Sequence, residues 1–265
     1  MTKVAAVQMV STPNPAENMA TARQLVAQAA SQGATLVVLP EYWAIMGMHE
    51  EDKVGLAEAA DTGGVLQEFM ATLARDFGVW LIGGTLPLKA EPGKVFNTTL
   101  VYDPRGVCIG RYDKIHLFGF HKGDESYDEA RTIVPGQNVA SVELPFGKVG
   151  MSVCYDLRFP ELYRAMGPAT LLVVPAAFTY TTGQAHWEIL LRARAIENQC
   201  YVLASAQGGA HQNGRRTWGH SMLINPWGEI IACLPEGEGV VTGALDLNLL
   251  AQVRENLPAL KHRRL

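Results

Sequence analysis

Three short runs of the chain each end on a residue that can do chemistry: Leu36-Val37-Val38-Leu39-Pro40-Glu41, Gly110-Arg111-Tyr112-Asp113-Lys114 and Val149-Gly150-Met151-Ser152-Val153-Cys154. A thiol is a poor nucleophile until it loses its proton, which needs a nearby base or cation. A buried carboxylate can take that proton while an ammonium holds charge in place. Cys154, Glu41 and Lys114 brought together would therefore make an acyl-transfer site. Each also has an ordinary structural reading: Glu41 as a helix cap, Lys114 as a surface partner of Asp113, Cys154 as a small core hydrophobe. What separates the readings is whether the fold brings the three side chains to one place.

The elements that must do so are mostly strands. Short β-branched runs recur at residues 4–9, 36–39, 79–83, 98–102, 107–111, 139–144, 149–154, 171–175, 201–206, 221–224, 229–234 and 240–245. Amphipathic stretches of helical length lie between some of them, at 15–32, 65–77 and 185–198. Asp103-Pro104-Arg105-Gly106, Pro145-Phe146-Gly147-Lys148 and Asn225-Pro226-Trp227-Gly228 carry the Pro and Gly of tight turns, so part of the sheet structure is antiparallel. There are too few helices to wrap two sheets separately. The pattern therefore predicts an α/β fold, a four-layer α-β-β-α sandwich of two mixed sheets packed face to face. Ligand sites in open α/β sheets gather at the carboxyl ends of strands, where all three residues stand. The stretch from His116 to about Asn138 reads as a long irregular loop of the kind that is usually functional or disordered.

Composition limits the alternatives. With 265 residues, 48% of them hydrophobic, and a net charge of -4, the chain reads as one globular domain over 1–265. Its single basic cluster, Lys261-His262-Arg263-Arg264, is too short to suggest a nucleic-acid partner, and no apolar run is long enough for a membrane span or a signal sequence. The expected location is the cytoplasm. Cys108, Cys154, Cys200 and Cys233 are widely spaced with no CxxC pair, and the seven histidines form no HxxxH or HxH pair, so neither a disulfide framework nor a metal site is expected. The glycine pairs make no GxGxxG and no phosphate loop, and no cofactor is expected.

The text around the three residues resembles the nitrilase superfamily of carbon–nitrogen hydrolases, at all three places and in order. Leu39-Pro40-Glu41 is similar to its catalytic Glu segment and Tyr112-Asp113-Lys114-Ile115-His116-Leu117-Phe118 to its Lys segment. Val153-Cys154-Tyr155-Asp156-Leu157-Arg158-Phe159-Pro160-Glu161 is similar to its nucleophile elbow. The resemblance implies a Glu41–Lys114–Cys154 triad on an α-β-β-α sandwich, with the Tyr155 backbone N–H assisting. It also places a supporting acid ahead of a Pro-Gly, a position that Glu129 fits and that Glu125 fits less well.

Beyond the elbow, Pro175-Ala176-Ala177-Phe178-Thr179, Ala185-His186-Trp187-Glu188 and Thr217-Trp218-Gly219-His220-Ser221-Met222 are similar to the branch that contains deaminated glutathione amidase and ω-amidase. That branch implies hydrolysis of the primary carboxamide of a small acidic metabolite, deaminated glutathione first, to acid and ammonia through a cysteine thioester. An ω-amidase acting on α-ketoglutaramate or α-ketosuccinamate, an N-carbamoyl hydrolase, and an inactive binding module on the same fold are the alternatives. Phe178 and Thr179 are candidates for a pocket wall. Arg131, Arg158, Arg215 and Arg216 are candidate cations for the acid end, with Arg131 carried as the substrate-binding candidate and Arg158 read as structural, paired with a carboxylate beside the elbow. The resemblance also implies a homodimer.

Overall fold

Alternate residues of the first strand point into different cores. Val4 and Ala6 belong to one apolar cluster and Ala5 and Val7 to another, and the next strand divides in the same way, Leu36 and Val38 against Val37. Side chains alternate across a strand, so a sheet that is apolar on both faces must be covered on both. The computed structural model, which describes residues 1–123 and 125–264, supplies that cover with a second sheet on one side and helices on the other.

The first sheet runs Gly239–Leu245, Thr2–Gln8, Leu36–Val38, Trp80–Ile82, Val95–Tyr102 and Leu86–Lys89, with Cys108–Asp113 also paired to Val95–Tyr102. The second runs Ile230–Leu234, Ser221–Ile224, Tyr201–Ala206, Leu171–Ala176, Gly147–Met151 and Ser141–Leu144. Both are mixed: Thr2–Gln8, Leu36–Val38 and Trp80–Ile82 are parallel in one, and Gly147–Met151, Leu171–Ala176 and Tyr201–Ala206 in the other. Helices Pro15–Ser31 and Val65–Phe77 bury Leu25, Val26, Leu66 and Met70 against the first sheet. Helix Tyr180–Asn198 buries Trp187, Leu191 and Ala195 in the cluster that holds Leu172 and Val202 of the second. The four-layer α-β-β-α arrangement expected from pattern is the one observed. No helix among the described residues is long and apolar enough to cross a membrane.

The departures from expectation have physical causes. Strand Leu86–Lys89 carries Pro87, which argues against a central strand and is tolerated here because the strand lies at the sheet edge. The stretch expected to be irregular contains an antiparallel hairpin, Gly119–Lys122 with Glu125–Asp128, whose exposed residues carry no apolar alternation to reveal it. Helix Tyr180–Asn198 begins five residues before the pattern does, capped by Thr179, because Gly183 interrupts the periodicity; a Cβ there would lie 2.3 Å from the Trp218 side chain. Helix Leu247–Asn256 starts on Asp246, whose side chain accepts from the Asn248 and Leu249 N–H groups. The strand expected to reach Cys154 stops at Met151, and Cys154 opens a 3-10 turn, Cys154–Arg158.

Candidate active site

Glu41 follows strand Leu36–Val38 by three residues, Lys114 directly follows Cys108–Asp113, and Cys154 follows Gly147–Met151 by three. The first two strands lie in one sheet and the third in the other, so the side chains meet where the carboxyl ends of the two sheets face each other. Lys114 Nζ lies 2.9 Å from Glu41 Oε1 and 2.8 Å from Glu129 Oε2, with Lys114 at 0% exposure and Glu41 at 1%. Glu129 sits on a 3-10 turn, Glu129–Arg131, immediately after the hairpin.

Each carboxylate is held by further donors. Glu41 Oε1 accepts from Asn97 Nδ2 at 2.9 Å and Glu41 Oε2 from the Ala177 N–H at 2.8 Å. Glu129 accepts from Tyr42 Oη at 2.8 Å and from the Phe118 N–H at 2.7 Å. Burial acts against charge on Lys114, but Glu129 and then Glu41 outweigh it and hold the ammonium well above the ordinary lysine range. Burial likewise acts to raise the Glu129 pKa, and Lys114 with these donors overcomes it, so the carboxyl stays below its ordinary value.

Cys154 has φ +49°, a left-handed conformation costly for a residue with a Cβ. It turns the thiol out of the strand direction toward a pocket of about 190 Å³ walled by Phe118, Cys154, Tyr155, Ala177, Phe178, Thr179 and Thr182. Burial first, and then the Glu41 carboxylate, push the thiol pKa well above its ordinary value, with Lys114 pulling the other way. The resting nucleophile is therefore a neutral thiol beside a carboxylate base. Moving its proton to Glu41 leaves the charge of the Glu41–Lys114–Glu129–Cys154 group unchanged, so no extra buried charge is created.

The carbon-nitrogen hydrolase family model matches residues 3–255. The chain belongs to that family. It is 44% identical over 266 residues to deaminated glutathione amidase of Synechocystis sp., covering 98% of this chain and 97% of that one. It is 38% identical over 266 residues to omega-amidase NIT2 of Xenopus tropicalis, covering 99% and 95%. Among solved structures it is similar to Saccharomyces cerevisiae Nit3, a member of branch 10 of the nitrilase superfamily, with a TM-score of 0.89 and 30% identity over 100% of this chain and 97% of that one. The chain is an amide hydrolase of the nitrilase superfamily.

Within this carbon–nitrogen hydrolase, Glu41, Lys114, Glu129 and Cys154 converge, and Tyr155, Phe178 and Thr179 line the pocket beside them. Arg131 does not reach it. Its side chain is 66% exposed and stands 3.5 Å from Glu51, because the 3-10 turn that buries Glu129 points Arg131 outward. Glu125 stays on the hairpin, accepting from Thr181 Oγ1 at 2.9 Å. Arg158 has no carboxylate within ion-pair distance among the described residues: its guanidinium lies over the Tyr155 and Phe178 rings, 5.7 and 5.2 Å from their centroids, and 3.3 Å from His186 Nδ1. The carboxylate beside the elbow, Asp156, is taken up by Tyr112 and His116 instead. Arg215 pairs with Glu50 at 3.4 Å and lies over the Tyr127 ring, and Arg216 pairs with Glu236.

Asn97, Tyr42 and Asp156 are the site residues that motif reading missed. Asn97 stands just before the 98–102 run of the sequence, and only the structure puts it inside strand Val95–Tyr102 as a buried amide that needs a partner. Tyr42 stands one position after Glu41 and Asp156 lies within the elbow segment, two after Cys154, and the part each plays becomes visible only through the groups it touches.

Proposed function

We propose that this amide hydrolase cleaves a linear amide of a small acidic 2-oxo metabolite through a thioester on Cys154. The observation that carries the reading is the meeting of a neutral thiol, a fully hydrogen-bonded carboxylate and a buried ammonium at one end of a small apolar pocket. In the first step Cys154 Sγ attacks the carbonyl carbon while Glu41 takes the thiol proton. The oxyanion forms against the Lys114 ammonium and the Tyr155 N–H, donors in place before the reaction; losing one such donor typically costs about 100 to 1,000-fold in rate. Protonated Glu41 then passes its proton to the departing nitrogen. Water attacks the thioester with Glu41 again as base, and the acid leaves. Glu129 keeps Lys114 charged and oriented.

The acid character of the substrate is supported by Arg158, a cation without a carboxylate partner among the described residues that lies against two pocket walls. Deaminated glutathione meets this description. Its two amides are both secondary, so cleavage there releases an amine, and ammonia release belongs to the ω-amidase type of substrate.

The test is kcat/KM on deaminated glutathione, α-ketoglutaramate, a simple nitrile and an N-carbamoyl amino acid, with amine and ammonia measured separately. The expected result is acid plus amine from deaminated glutathione, favoured over the others by about tenfold or more, roughly 1.4 kcal/mol. Turnover of the nitrile alone would overturn the reading. The chemistry needs a reduced thiol, which fits the cytoplasm. A second copy of the chain suits the exposed apolar face formed by Ile189 and Ile196, with Trp227 on the turn that Ile196 adjoins; light scattering should show a dimer that Ile196→Glu dissociates.

A further inference from the structure

The Asp156 carboxylate is fully buried and joins the two halves of the site. Its Oδ1 accepts from the His116 N–H at 3.0 Å and from His116 Nδ1 at 2.7 Å; its Oδ2 accepts from Tyr112 Oη at 2.7 Å and from the Val153 N–H at 2.8 Å. Tyr112 and His116 stand two residues either side of Lys114, and Val153 immediately precedes Cys154. One side chain therefore ties both flanks of the lysine, on the first sheet, to the nucleophile turn, on the second. The His116 ring is itself immobilised by a parallel stack on Phe159, 3.7 Å between centroids at 6°. Phe159 closes the same turn through its N–H, which donates to the Asp156 carbonyl at 3.0 Å.

We propose that Asp156 is a positioning residue that sets the separation of Cys154 Sγ from the Lys114 ammonium and stabilises the left-handed conformation at Cys154. This rests on the thioester reading above. An acid at this place is expensive to bury, and the four donors that converge on it offset that cost; two of them are backbone N–H groups. Substitution by asparagine puts an amide N–H₂ against donors. Tyr112 Oη can reverse its role, but the Val153 and His116 N–H groups cannot, so the turn must move by a fraction of an ångström, whichever way the amide is placed.

The test measures turnover per folded molecule, with the folded fraction set by near-ultraviolet circular dichroism and size-exclusion chromatography. For Asp156→Asn kcat should fall about 100-fold while KM changes little, as expected when the reacting groups are misaligned without loss of the pocket. Tyr112→Phe, which removes one of the four hydrogen bonds and keeps the ring, should lose about fivefold. A merely structural role would lower the folded fraction and leave turnover per folded molecule unchanged. Should Asp156→Asn not fold, Tyr112→Phe decides: turnover per folded molecule equal to the parent enzyme overturns the proposal, and a loss at unchanged KM supports it. Amide hydrolysis by Cys154→Ala at the parent rate would instead remove the thioester reading itself.

Discussion

Lys114 Nζ and Glu41 Oε1 are 2.9 Å apart at the point where two sheets meet, out of contact with solvent, although the two residues lie 73 apart in sequence. A second carboxylate, Glu129, completes the set, so the ammonium is shared between two acids and neither can be removed without leaving charge stranded.

Replacing that ammonium is therefore expected to damage both stability and turnover. Lys114→Met should leave Glu41 and Glu129 as uncompensated buried neighbours and lower unfolding free energy by about 3–5 kcal/mol, measured by urea denaturation, with no detectable amide hydrolysis. A stable Lys114→Met protein with retained activity would contradict the role given to the pair.

Glu129 predicts a pH dependence with a definite sign. Its folded pKa lies below the ordinary value of 4.5, so the ionised form is bound more tightly in the native state. The stability it contributes is complete above about pH 4.5 and is lost as pH falls through the lower, folded value. Thermal melts of the parent enzyme and Glu129→Gln should thus differ most at neutral pH and converge in acid.

Cys154 should behave as a thiol and not as a preformed thiolate. Burial and Glu41 raise its pKa well above the ordinary 9.0, so the difference in ultraviolet thiolate absorbance between the parent enzyme and Cys154→Ala should be absent at neutral pH and emerge only in strong alkali. A thiolate signal at neutral pH would show that Lys114 outweighs burial.

Gly84 is predicted to act on the site at one remove. It has φ +53° and packs against the backbone that leads to Glu41, where a Cβ would lie 2.1 Å from the Pro40 carbonyl oxygen. Gly84→Ala should lower the melting temperature and displace Glu41, with kcat falling about 100-fold, more than its effect on KM.

Much of this site was legible because its residues sit at the ends of strands with strong local patterns. The runs before Glu41 and Cys154 are apolar and β-branched, and buried parallel strands need such runs whatever follows them. Glu129 is placed only through its likeness to a motif position, and Arg131, two residues later and a candidate cation for the acid end of the substrate, faces solvent; a 3-10 turn separates neighbouring side chains by about a third of a turn, which composition does not reveal. From sequence, Arg158 is expected to be a structural ion-pair partner of a nearby carboxylate. Asp156, the carboxylate beside it, is already occupied by donors from the other sheet, leaving the guanidinium on the pocket rings.

The sequence by itself determined the periodicities, hence most of the strands, the three longest helices and the layered sandwich, and it determined which side chains could do chemistry. Those follow from local physics: alternation, turn residues and the reactivity of thiol, carboxylate and ammonium. Only the tertiary structure decided which groups touch. Lys114 is charged because two acids from distant loops face it, Cys154 is neutral because it is buried beside one of them, and Asn97 and Asp156 matter because their hydrogen-bond partners come from elsewhere in the chain. Hydrogen bonds and charge interactions act over a few ångströms of space, and distance along the chain carries no record of them.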